Sequence, residues 1–152
     1  MVNTAEMKQS LEGKFDFLAG KVAVQRERRV FVEVPADRFR EVLEFSMKEL
    51  GIDWISTLTG LDEKETLAVV YHVSGAHGIV LNIKTRVPRD NPVIHSVTDL
   101  FPACANYERE LDDLLGFVVE GLPPGNRYPL DDNWPKDQKP LRKDWKPAKA
   151  AS

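Results

Sequence analysis

The run WISTLTGLDEKETLAVVYHVSGAHGIVLNIKTRV (54–87) decides the fold. It divides into three strand candidates, Trp54–Leu61, Thr66–Val73 and Gly78–Val87, separated by the short polar breaks DEKE and SGAHG. Breaks of that length close antiparallel hairpins, whereas a parallel crossover needs a dozen residues or more. In the third run Ile79, Leu81 and Ile83 alternate with Val80, Asn82 and Lys84, so the strand has a dry side and a wetter one.

Upstream, Pro35 opens a predicted helix in which Phe39, Val42, Leu43, Met47 and Leu50 recur at helical spacing until Gly51 stops it. One apolar stripe resting on a sheet accounts for all of them. Val22–Gln25 and Arg29–Val34 alternate as strands, with Val30, Val32 and Val34 on one side and the charged RER between them as a hairpin turn. Residues 4–13 read as a short helix ended by Gly13. The predicted fold is therefore α+β, a two-layer α-β(2)-α-β(3) sandwich with a largely antiparallel sheet.

Downstream the composition shifts. Eight of the ten prolines lie from Pro92 onward, six of them between Pro123 and Pro147. One further helix is predicted, Ala103–Leu115, led by Pro102 and closed by Gly116. Beyond it, proline forbids a long helix or a central strand. Yet the stretch carries Tyr128, Leu130, Trp134, Leu141 and Trp145, more aromatics than a solvated linker holds. The expectation is a body over 1–116 and an extended Pro-rich tail over 117–152, strapped onto a partner subunit by aromatic anchors.

Composition removes most chemistries. The chain has 152 residues, 42% hydrophobic and 30% charged, with net charge -3, values that suit a soluble globule. They argue against a nucleic-acid binder working by bulk charge. No apolar run approaches the ~20 residues of a membrane helix, and MVNTAEMKQSLEGKF does not read as a secretory signal. A single cysteine, Cys104, rules out an intrachain disulfide and any site built of cysteines alone, and suits a reducing compartment. It is expected to be buried and structural. His72, His77 and His95 have no metal-ligand spacing, and no phosphate loop or nucleophile elbow occurs.

The densest charge cluster is YERELDDLLG (107–116). Tyr107, Leu111, Leu114 and Leu115 share a face. That leaves Glu108 with Asp112, and Arg109 with Asp113, one turn apart, and the first pair repels. A solvated face is one reading and a charged docking surface a sharper one. Two weaker alternatives are a small acid/base enzyme using these carboxylates, and a binding module whose Arg142, Lys143, Lys146 and Lys149 meet nucleic acid beside Trp134 and Trp145.

HSVTDLFPACANYERELDDLLG (95–116) resembles the signature region of the C-subunit family of respiratory NADH dehydrogenase, complex I, with Glu108, Arg109, Glu110, Asp113, Leu114 and Leu115 matching its core. PLRKDW (140–145) is similar to that family's closing motif, and LGIDW (50–54) and TGLD (59–62) look like its helix end and following strand. Leu122 and Asn126 depart from the respiratory pattern, of which Arg127 remains. GNRYPLDDNWP (125–135) looks more like the equivalent subunit of membrane-bound, energy-converting nickel–iron hydrogenases, which draw on ferredoxin; the short N-terminus agrees with that branch.

The resemblance implies a non-catalytic subunit of a membrane-bound, ion-translocating redox complex. Such a subunit holds no cofactor of its own, the nickel–iron centre and iron–sulfur clusters lying in partner chains. It would sit peripherally on the cytoplasmic side of the membrane, bracing the catalytic large subunit and the small iron–sulfur subunit and meeting the membrane arm only indirectly, without nucleic acid. Its expected interface residues are Glu108, Arg109, Glu110, Asp113, Arg127, Trp134, Leu141, Arg142, Lys143, Asp144 and Trp145.

Overall fold

A computed structural model describes residues 2–148; Lys149 of the basic tail lies outside the described residues. The chain opens with α1 (Thr4–Lys14), capped by Asn3, whose side chain accepts from the backbone of Ala5 and Glu6 while Glu6 reaches back to the Asn3 amide. A hairpin follows, β1 (Ala23–Arg26) and β2 (Arg29–Glu33), then α2 (Phe39–Glu49). The decisive run forms β3 (Trp54–Asp62), β4 (Thr66–Ser74) and β5 (Val80–Pro88). The remaining elements are β6 (Val93–His95), α3 (Ala105–Leu115) and β7 (Val118–Glu120).

Five strands make one sheet in the order β1-β2-β5-β4-β3. The β3–β4 and β4–β5 hairpins run antiparallel as their short breaks require. The β2–β5 pairing is parallel, with Val30 opposite Leu81 and Val32 opposite Ile83. Chain direction explains it. The α2 connection carries the chain from β2 to the far edge and starts β3 in the same direction, so β5, two reversals later, runs alongside β2.

The helices share one face of the sheet. Phe39 of α2 stacks on Tyr71 of β4 with ring centroids 5.1 Å apart, and Phe15, just after α1, meets Phe45 of α2 edge-on at 5.4 Å. Leu111 and Leu115 of α3 lie over Gly60 of β3. Burying Val30, Val32, Leu67, Val69, Val73, Leu81 and Ile83 beneath these helices is the main apolar gain of the fold. The opposite face carries Thr59, His72, Asn82, Lys84 and Arg86. There Thr59 Oγ1 and His72 Nε2 are 2.8 Å apart, and Asn82 Nδ2 donates to Val30 O.

Two helix starts and one strand pair differ from expectation. Residues 35–38 form a turn, Arg38 N–H donating to Pro35 O at 2.9 Å, and α2 begins only at Phe39. Pro102–Cys104 is a single tight turn before α3. The parallel pair β6–β7 was not expected, since three-residue strands carry too little periodicity to be read.

The junction of β4 with the end of α2 leaves no room for a side chain at Gly75. A Cβ there would lie 1.8 Å from Gly51 O. Gly75→Ala is expected to destabilise the fold by about 1–3 kcal/mol, as overpacking does, seen as a lower urea midpoint with an unchanged slope.

Candidate functional site

The acidic helix α3 turns two of its carboxylates inward. Glu108 is 1% exposed; its oxygens accept from Ser96 Oγ at 2.6 Å and from Val97 N–H at 2.7 Å. Arg40 of α2 donates to Ser96 O and to Asp99, so the loop after β6 is held from both helices. Burial pushes the Glu108 carboxyl up from its ordinary value, opposed by the donors of Ser96, Val97 and Cys104. The expected repulsion between Glu108 and Asp112 on a solvated face does not arise: Glu108 faces the core and Asp112 faces outward.

Cys104 is buried beside Glu108. Desolvation first, and then that carboxylate, push its thiol up to about 12, which leaves it no thiolate at neutral pH. The three histidines lie apart, each tied to its own neighbourhood. No cluster of three or more potential metal ligands occurs among the described residues.

Asp113, the second inward carboxylate, takes the tail. Its Oδ1 accepts from Arg127 Nε at 3.1 Å and Nη2 at 2.8 Å, and its Oδ2 from Leu130 N–H at 2.9 Å. Arg127 also donates to Trp134 O at 2.8 Å. Further on, the tail meets the last carbonyls of α3: those of Leu114 and Leu115 have no partner inside the helix, while Asp112 O already accepts from Gly116 N–H at 2.8 Å. Lys139 Nζ donates to Asp112 O, Leu141 N–H to Leu114 O, and Arg142 Nε to Leu115 O. Two cations thus sit at the negative end of the helix dipole.

A third carboxylate fixes the closing motif. Asp62, with its side chain 1% exposed, accepts from Arg89, from Lys143 N–H at 2.7 Å and from Lys64 N–H at 2.8 Å. Burial would raise its carboxyl, but these donors and the Arg89 charge together outweigh that and hold it at about 2. Arg89 reaches Asp144 as well, at 2.6 Å. The tryptophans meet each other, Trp134 and Trp145 having ring centroids 5.9 Å apart, and both indole N–H groups donate to Gln138.

The expected interface residues therefore sort into three groups. Glu108 and Asp113 are spent inside the chain. Arg127, Arg142, Lys143 and Asp144 latch the tail to α3 and to the end of β3, with Trp134 and Trp145 half-buried between them. Leu141 remains exposed, and Arg109 and Glu110 are half-buried. Arg109 does not pair with Asp113 but donates to Asn106 Oδ1 at 2.9 Å and Pro123 O at 3.2 Å. Sequence reasoning assigned no role to Asp62, Arg89, Arg40 or Ser96. The position of Asp62 inside TGLD was the one available signal.

Glu108→Ala should cost about 2–4 kcal/mol, because it strands the Ser96 hydroxyl and the Val97 amide in the core. Arg109→Ala, which removes only exposed bonds to neutral oxygens, should cost less than about 1 kcal/mol; thermal unfolding of the two variants checks the contrast. Asp62 is depressed in the folded chain, so its contribution is complete above its ordinary value near 3.8 and is lost as pH falls toward about 2. The protection of the Lys143 amide relative to its intrinsic exchange rate should fall in that window, and Asp62→Ala should lower it likewise at pH 7.

Residues 32–151 match the family described as respiratory-chain NADH dehydrogenase, 30 Kd subunit. The chain is 32% identical over 140 residues to the C-subunit of the F(420)H(2) dehydrogenase of Methanosarcina mazei, covering 90% of this chain and 88% of that one. It is 30% identical over 127 residues to membrane-bound hydrogenase subunit beta of Pyrococcus furiosus, 78% of this chain and 70% of the relative. Some curated relatives are far longer, and the chain spans only 17% to 22% of their length. Among solved structures, a chain of the membrane-bound sulfane sulfur reductase, an archaeal respiratory membrane complex, superposes with TM-score 0.80 at 32% identity, covering 93% of this chain and 85% of that one. With the matched family spanning most of the sequence and the sandwich shared, this chain belongs to the family of the respiratory-chain NADH dehydrogenase 30 Kd subunit.

Proposed function

We propose that the chain is a non-catalytic peripheral subunit of a membrane-bound, ion-translocating redox complex of the energy-converting nickel–iron hydrogenase type, linked to ferredoxin. It braces the catalytic large subunit and the small iron–sulfur subunit on the cytoplasmic side of the membrane. The observation that carries this reading is the latched tail. Two carboxylates of the body, Asp113 and Asp62, and the end of α3 fix an otherwise irregular segment, which leaves Leu141 exposed and Arg109, Glu110, Trp134 and Trp145 partly exposed. Electron transfer between centres on different chains depends on their alignment, and a stiff brace preserves alignment without taking part in chemistry.

The run GNRYPLDDNWP (125–135) and the Pyrococcus furiosus hydrogenase relative support the hydrogenase branch. The Methanosarcina mazei relative, spanned over 88% of its length, favours a second reading in which the complex is a dehydrogenase, as with the C-subunit of an NADH:quinone oxidoreductase. No helix among the described residues is long and apolar enough to cross a membrane, so attachment would run through the partners.

Purifying the tagged chain from native membranes in mild detergent tests the assignment. A large subunit bearing nickel and a small iron–sulfur subunit should accompany it; companions without nickel would support the dehydrogenase reading, and a solitary chain would overturn both. Leu141 is 54% exposed, so Leu141→Glu should release the chain from the complex while leaving its own melting temperature within about 2 °C of the parent.

A further inference from the structure

An open cleft of about 820 Å³ lies between α3 and the tail segment 122–139. Four cations and three carboxylates line it: Arg109, Arg127, Lys136 and Lys139 against Asp112, Asp113 and Asp132. The pairs already described consume most of these charges. Arg127 is bound by Asp113, and Lys139 by Asp112 at 3.2 Å. Among the described residues that leaves Arg109 and Lys136 without a carboxylate, against Asp132 alone.

Arg109 is the unusual member. The residue is half-buried, and only neutral oxygens of Asn106, Pro123 and Pro124 accept from its guanidinium. The loop at Gly125 lies flat against it, so close that a Cβ would sit 2.4 Å from Nη2. The loop thus holds the charged plane at the wall of the cleft without neutralising it. A cation partly withdrawn from water and lacking a counter-ion attracts an anion more strongly than a solvated one does. The charged lining disfavours an apolar guest, so charge complementarity selects the occupant.

We propose that this cleft receives an acidic segment of a partner subunit, one carboxylate of which accepts from Arg109 while a second approaches Lys136. The inference rests on the assembly role proposed above and specifies the chemistry of one contact within it. Such a contact is charge-assisted, and it fixes orientation at least as much as it adds affinity.

A benzoylphenylalanine photo-crosslinker placed at Asn126, in the complex purified intact through a tag on this chain, tests the proposal. The crosslinked peptide should belong to another subunit and carry at least two Asp or Glu residues. Its yield should fall about threefold or more in Lys136→Glu and be retained in Lys136→Arg. Lys136 is exposed and pairs with no carboxylate among the described residues, so its variants spare the fold. A crosslink to a segment without acidic residues, to a second copy of this chain, or to nothing while the companions remain bound would overturn this inference alone. A chain that purifies without companions would overturn the assembly role with it.

Discussion

A proline-rich chain end cannot order itself. Each proline removes a donor and fixes φ, so neither a ladder nor a helix is open to it, and its remaining backbone groups must find partners elsewhere. A helix C-terminus has the complementary problem, several carbonyls with nothing inside the helix to receive. In this chain the two deficits cancel. The orphan carbonyls of Leu114 and Leu115 meet the Leu141 amide and Arg142, and Lys139 adds a second donor to the Asp112 carbonyl that Gly116 already caps. Because two of these donors are cations at the negative end of α3, the dipole reinforces the hydrogen bonds.

The same helix also organises what comes before it. Glu108 and Asp113 are five residues apart and both point away from water, one holding the Ser96–Val97 loop and the other Arg127 and Leu130. Three segments distant in sequence, the exit of β6, the start of the tail and the closing motif, are thereby referred to one rigid element. Their titration does not act in concert. Asp62 and Glu63 are held at about 2 and favour the fold as pH rises, the latter mainly through Arg86 and against its own burial. Glu108 is raised by burial, so its contribution runs in the opposite sense, strongest when protonated and declining as pH rises through its folded value. Near neutrality Asp62 and Glu63 are fully charged while the buried Glu108 relies on its donors.

Periodicity made the sheet and α2 legible, because alternation and helical spacing report directly which side of an element is dry. It could not report strand order. That β2 lies beside β5 depends on where the α2 connection delivers the chain, a property of no single segment. The acidic helix misled for a different reason. Its stripe was assembled from apolar residues only, yet Cys104, Glu108, Leu111 and Leu115 follow the spacing of a core face, and all four are buried. A carboxylate at a core position was itself the signal that a loop waited beneath it. Asp62 offered less, since a strand-end aspartate more often faces water, and its partners lie 27 and 81 residues away.

The latches bear on how such a chain could brace others. Ordering a residue costs roughly 1–2 kcal/mol of backbone entropy, so a strap that became ordered only on its partner would surrender most of the contact energy to that cost. Here Asp113, Asp62 and the end of α3 meet it during folding. Binding then has only side chains such as Leu141 and Arg109 to arrange. Position is inherited in the same way. A guanidinium seated against the Gly125 loop, and a leucine whose amide is tied to Leu114, are located by the body's own hydrogen bonds. Whatever they touch is therefore registered against the sheet, not against a flexible end.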